Sequence, residues 1–208
     1  MTESDQAPAK KGLFRTPLAC ALLSGALAVA VSQLYGWAFR PKLTHLTSSD
    51  WIHFAVFGFS QRFLYTAVQL HGPAIYDRQG STARRAVVLA VLFQVFVSVI
   101  GSLFSHTPAT VNIVMVSVLR GSMLGVALAW LYRAKGKMGL CSILGLLGAL
   151  PSAVALLVSR TPNASDETLA LSSMVMYIAT IIQVALPTLP IDREFRAQAS
   201  ANPGDAHA

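Results

Sequence analysis

The chain has 208 residues, of which 54% are hydrophobic and 12% are charged, and its formal net charge is +7. An ordinary soluble domain carries roughly 25% charged residues, so this composition excludes a typical soluble fold and indicates a protein embedded in a lipid bilayer. The basic residues form short clusters between apolar runs rather than one polar face, which argues against a nucleic-acid partner.

Six apolar segments follow one another along the chain. A hydrocarbon core about 30 Å thick requires roughly 20 residues of helix, so the pattern predicts an all-α, polytopic transmembrane bundle of six spans. In chain order the spans are Leu18 to Phe39, Trp51 to Leu70, Ala86 to Phe104, Thr110 to Tyr132, Gly139 to Ser159 and Thr168 to Pro187. Residues 13–190 then form the membrane domain, and residues 1–12 and 191–208 are predicted to be flexible cytoplasmic tails.

The second segment is the most polar of the six. Gln61, Tyr65 and Gln69 recur at helical spacing within it, with Arg62 and Thr66 beside them. These polar groups share one side of a helix, and we expect that side to face the interior of the bundle.

The distribution of Lys and Arg predicts the orientation, because cytoplasmic loops carry the excess of positive charge. Eleven basic residues fall on one side of the six spans, namely Lys10, Lys11, Arg15, Arg78, Arg84, Arg85, Arg133, Lys135, Lys137, Arg193 and Arg196. Only Arg40, Lys42 and Arg160 fall on the other. Both termini are therefore predicted to be cytoplasmic, in a bacterial inner (plasma) membrane. In the alternative, the second segment lies on the membrane surface and the amino terminus is outside.

Two arginines, Arg62 and Arg120, lie near the middle of apolar segments and at similar depth, whereas no acidic residue falls within any segment. A charge at bilayer depth costs roughly 2.5 to 3.5 kcal/mol on insertion scales, so it usually faces a cavity, a partner or a ligand. Because the guanidinium fork suits carboxylate and phosphate, the arginines predict a small carrier or binding protein for an anionic solute or lipid headgroup. The predicted substrate-binding residues are Arg62, Arg120, Gln61, Gln94 and Gln183.

Two alternatives explain the arginines without a ligand. In the first, the chain is a non-catalytic membrane subunit whose arginines contact a partner protein. In the second, the arginines are purely structural, because a long side chain can reach toward the interface or bond to helix carbonyls.

An enzyme is a further alternative, and it depends on a group of polar residues at the outer surface. Imidazoles and a carboxylate can bind zinc or relay protons, but the spacing here is not specific for either role. The group consists of His45, Asp50, His53 and His106. The sequence therefore predicts no catalytic residue, no metal site and no cofactor.

Small residues predict where helices approach most closely. Gly121 and Gly125 are four residues apart in the fourth segment, and the fifth segment carries Gly145 and Gly148 before Pro151. Such residues let membrane helices pack backbone to backbone.

Overall fold

The computed structural model describes residues 16–43, 51–77, 80–104 and 106–201, without the side chains of 40–43, 51–55, 199 and 201. Every regular element in these ranges is helical, so the all-α prediction is confirmed for the described part of the chain. The α-helices are α1 (Pro17–Leu43), α2 (Trp51–Gln69), α3 (Gly72–Asp77), α4 (Gly80–Leu103), α5 (Ala109–Leu131), α6 (Met138–Ser159) and α7 (Asp166–Ala201). A single 3-10 turn, Lys135–Lys137, leads into α6.

The six long helices form a closed ring. Going around it, α1 packs on α2, α2 on α4, α4 on α5, α5 on α6, α6 on α7, and α7 on α1. The short α3 lies against α1 and α4, and α5 also reaches α7 across the ring. The ring therefore encloses an interior to which side chains from several helices can contribute.

Helix α2 runs antiparallel to α1 over almost its whole length. Tyr35, in the second half of α1, stacks with Phe57, near the start of α2, with ring centroids 5.1 Å apart. At the other end, the hydroxyl of Ser24 donates to the carbonyl oxygen of Gln69, the last residue of α2. This pairing makes α2 a full-length member of the bundle.

Glycines hold α5 and α6 in the closest contact of the fold. A Cβ atom on Gly121 would overlap the carbonyl oxygen of Gly145, and one on Gly125 would overlap the carbonyl oxygen of Cys141. Beside them, the hydroxyls of Ser122 and Ser142 are hydrogen-bonded at 2.6 Å. The small residues of the two segments thus meet each other, and they lie at positions where the sequence predicted close helix packing.

The start of α1 and the end of α7 meet at one end of the bundle. The Asp192 carboxylate accepts a hydrogen bond from the backbone N–H of Leu18 at 3.1 Å and pairs with Arg196 at 2.6 Å. The Tyr132 hydroxyl donates to the carbonyl oxygen of Pro17 at 3.1 Å. We call this the Asp192 end.

Five of the helices are long and apolar enough to cross a membrane: Pro17–Phe39, Gly80–Leu103, Ala109–Leu131, Lys135–Ser159 and Asp166–Gln198. Large apolar side chains also cover their outward faces, for example Leu92, Ile143 and Leu171, each more than half exposed. Exposed apolar side chains of this kind are compatible with lipid contact. Helix α2 is not one of the five, because polar residues interrupt its apolar sequence.

One difference from the sequence expectation concerns the carboxyl-terminal part of the chain. Helix α7 continues beyond residue 190 to Ala201, because Ile191 and Asp192 are buried against the rest of the bundle. The predicted amino-terminal tail, residues 1–12, lies outside the described residues.

The hydrophobic core fills the half of the bundle nearer the Asp192 end. Its largest fully buried side chains include Leu70, Leu124, Leu128 and Ile191. In the other half the interior is not filled in this way, and a polar cavity lies there.

Candidate functional site

The cavity has a volume of about 350 Å³ and lies between five of the six long helices, with α4 the exception. Its lining residues come from the middle of the helices and from the end opposite the Asp192 end. They are Val29, Ser32, Gln33, Gln61, Arg62, Tyr65, Ser117, Arg120, Ser152, Leu156, Ser173, Met176, Tyr177, Thr180 and Gln183. Most of these side chains are polar, which is unusual for the interior of an apolar helical bundle.

Arg120 forms the floor of the cavity. Its guanidinium reaches across from α5 to α2, where Nη2 donates to the Thr66 hydroxyl at 3.4 Å and to the Gln69 side-chain oxygen at 3.3 Å. The guanidinium carbon also lies 4.6 Å from the centre of the Tyr65 ring, within the range of a cation–π interaction. These three residues hold the cation at the boundary between the cavity and the hydrophobic core.

Tyr65 is held in place by a residue of α7, on the opposite side of the ring of helices. Its hydroxyl is hydrogen-bonded to the Thr180 hydroxyl on α7 at 2.7 Å. Thr180 in turn donates to the carbonyl oxygen of Met176, one helical turn earlier. The position of Arg120 therefore depends on α2 and α7 as well as on α5.

Arg62 lines the same cavity but is solvent-exposed in the isolated chain, so it marks the mouth. Among the described residues, none accepts a hydrogen bond from Arg62 or forms an ion pair with it. The cavity lining contains no Asp or Glu, so two positive charges share this space without a carboxylate from the lining itself.

The structure brings four of the five predicted binding residues together. Gln61 donates to the Ser32 hydroxyl at 3.4 Å, and Gln183 is almost completely buried in the wall formed by α7. Gln94 is not in the lining: its amide donates to Ser98 within α4, at 3.3 Å. The polar side of α2 faces inward, as its spacing predicted.

Of the polar residues that α7 contributes to the cavity, the sequence predicted Gln183 and missed Ser173, Tyr177 and Thr180. Ser173, Tyr177, Thr180 and Gln183 recur at helical spacing and form one polar side of an otherwise apolar helix. This periodicity is a sequence signal of the same kind as the polar spacing that predicted the inward side of α2.

The outer group of His and Asp residues is only partly described. His45 and Asp50 lie outside the described residues, as does the side chain of His53, and His106 is exposed in the turn between α4 and α5. The described residues contain no group of three or more His, Cys, Asp or Glu that could hold a metal ion.

Compared with known proteins, the chain matches no family model, no curated protein and no solved structure significantly. The cavity geometry is therefore the basis for assigning a function.

Proposed function

We propose that this protein is a small carrier or binding protein for an anionic solute or lipid headgroup, with the cavity as its binding site. The observation that carries the proposal is that Arg62 and Arg120 line one polar cavity that contains no carboxylate. A buried cation without a counter-ion is costly, and an anionic ligand would remove that cost. The hydroxyls and the amides of Gln61 and Gln183 would complete its hydrogen bonding.

In this proposal the chain crosses the membrane six times, with both termini in the cytoplasm of a bacterial cell and the membrane being its inner one. Support comes from the full-length antiparallel pairing of α2 with α1 and from the contact between Leu18 and Asp192, which lie at opposite ends of the bundle's sequence. Leu18 and Asp192 can lie at the same end of the bundle only if the chain passes along the bundle an even number of times between them. The cavity then lies in the outer half, and the hydrophobic core closes it toward the cytoplasm.

Ligand-induced stabilisation tests the proposal on the purified protein in detergent. A ligand present at about a hundred times its Kd stabilises the folded state by about 2.7 kcal/mol, which a thermal unfolding assay resolves. We expect at least one carboxylate or phosphate compound to raise the unfolding temperature, and Arg120→Gln to remove the shift. Arg160→Gln is the matched control, since Arg160 is exposed and does not line the cavity.

If no anion stabilises the protein, or if Arg120→Gln responds to anions as the unsubstituted protein does, the cavity is not an anion site. Circular dichroism and size-exclusion chromatography would establish that the variant is folded.

A second candidate, a membrane subunit whose arginine contacts a partner's carboxylate, is favoured by one observation, the exposure of Arg62. It predicts that a photo-crosslinking residue at position 62 forms a covalent adduct with another membrane protein in native membranes. A position-62 crosslink to lipid or to this chain alone would instead favour the carrier.

A further inference from the structure

Several hydrogen-bond donors that line the cavity have no acceptor among the described residues. Arg120 donates through Nη2, but no described residue accepts from its Nε or Nη1, and none accepts from any nitrogen of Arg62. Next to Arg120, but outside the cavity lining, the amide nitrogen of Gln69 is buried and has no partner among the described residues. Unused donors around a polar space indicate a ligand that supplies acceptors.

The charges of the cavity set the charge of that ligand. With two guanidinium groups and no carboxylate in the lining, a ligand with a single negative charge would leave one of the two cations uncompensated. Neutrality therefore requires a second negative charge on the ligand.

Building on the proposed function, we infer that the cavity binds an oxyanion with two negative charges, held by Arg120 at the floor and Arg62 at the mouth. Phosphate monoesters and dicarboxylates meet this description. A phosphate monoester can be a soluble compound or a lipid headgroup, and the two share the chemistry that the cavity recognises.

Matched pairs of probes, each differing by one charge, test the inference in the thermal unfolding assay. The pairs are ethyl phosphate with diethyl phosphate, succinate with its monomethyl ester, and short-chain phosphatidic acid with short-chain phosphatidylmethanol. We expect the dianion of at least one pair to bind about tenfold more tightly than its monoanion, as for loss of one hydrogen-bonded charge. The pair that responds identifies the source of the ligand.

The pH supplies an independent measurement on the same protein. The second pKa of a phosphate monoester is about 6, so ethyl phosphate and phosphatidic acid lose their second charge on acidification. If a phosphate monoester is the responding probe, its advantage over the diester should be full at about pH 8 and largely lost at about pH 5. An advantage that does not change over this range would overturn the two-charge assignment for phosphate.

Arg62→Gln shows whether the second charge is held at the mouth. We expect this variant to retain monoanion binding and to lose most of the preference for the dianion, whereas Arg160→Gln should retain both. Arg120→Lys keeps the charge at the floor without the planar fork, so affinity should fall while the dianion preference remains.

The outcomes separate the two levels of the argument. Equal affinity for monoanions and dianions would overturn the inference and leave the anion site in place. A dianion preference that survives Arg62→Gln would overturn the role of Arg62. Failure of every anion to stabilise the protein would contradict the proposed function itself.

Discussion

At the scale of single residues, Arg120 shows how this bundle accommodates a cation at depth. The guanidinium makes two hydrogen bonds to neutral oxygens and one contact with an aromatic face, and it has no acidic partner among the described residues. Neutral groups solvate the charge without cancelling it. Arg120 therefore remains available as an electrostatic partner for a ligand, which a salt bridge within the chain would prevent.

Two buried glutamines, one inside and one outside the cavity lining, test whether polar residues of the lining contribute to anion binding. Gln183 and Gln94 are each 3% exposed, but only Gln183 lines the cavity. We expect Gln183→Met to weaken binding of the responding anion by roughly fivefold, the effect of losing about 1 kcal/mol of hydrogen bonding. Gln94→Met should leave the affinity unchanged, although it removes the bond to Ser98. Ligand titrations of both folded variants provide the comparison. An equal loss of affinity in the two variants would show that Gln183 does not act through its position in the cavity wall.

At the scale of helices, the contact between α5 and α6 depends on the absence of side chains. A Cβ on Gly125 would meet backbone atoms of Cys141 and Ser142, which cannot rotate away. The helices would have to separate, which also affects Arg120, one to two turns before Gly125 on the same helix. Close backbone packing of this kind is a main source of helix association in membranes.

We predict that Gly125→Ala destabilises the protein by about 1 to 3 kcal/mol, the usual cost of overpacking. Alanine favours helix over glycine by roughly 0.5 to 1 kcal/mol, and this gain is too small to offset the overlap. Gly58→Ala in α2 is the control, since a Cβ there meets nothing within 4 Å. Unfolding of both variants by titration with a denaturing detergent measures the difference. A Gly125→Ala protein as stable as Gly58→Ala would mean that the helices are not in backbone contact.

How far the sequence predicted these elements depends on whether the determining contacts are local. Helical periodicity located the polar side of α2, and small residues located the positions of close packing on α5 and on α6, because both patterns lie within single segments. The hydrogen bond between the Leu18 backbone and the Asp192 carboxylate joins residues 174 positions apart, so no local sequence pattern indicates it. The apolar pattern alone therefore predicts a tail from residue 191, whereas Ile191 and Asp192 are buried and α7 continues to Ala201.

The candidate site was predictable to a similar extent. The two arginines and two of the glutamines could be named from their positions in apolar segments. Which helices surround them could not, because the order of helices around the ring is set by packing between distant segments. Ser32 and Thr180 gain their relevance only from that order, and Gln94 is separated from the cavity by the same cause.

At the scale of the whole molecule, the membrane topology depends on whether α2 crosses the bilayer. Apart from the exposed Arg62, the polar side of α2 is turned inward, where Arg120 donates to Thr66 and Gln69. The helix therefore presents a more apolar surface to lipid than its average composition indicates. If α2 crosses, the amino terminus lies on the same side of the membrane as Gly80 and Gly136. If it lies on the surface instead, the amino terminus is on the opposite side.

We predict that α2 crosses, and single-cysteine labelling in intact cells tests this. The native Cys20 and Cys141 are fully buried and should not react with a membrane-impermeant maleimide. Gly80→Cys and Gly136→Cys, at positions where a Cβ meets nothing within 4 Å, should be protected, and Arg160→Cys should be labelled. An amino-terminal epitope tag should be protected as well. A tag that is accessible from outside while Gly80→Cys remains protected would show that α2 does not cross the membrane. Arg62 would then lie at the membrane surface, and the cavity could not lie in the outer half of the bilayer.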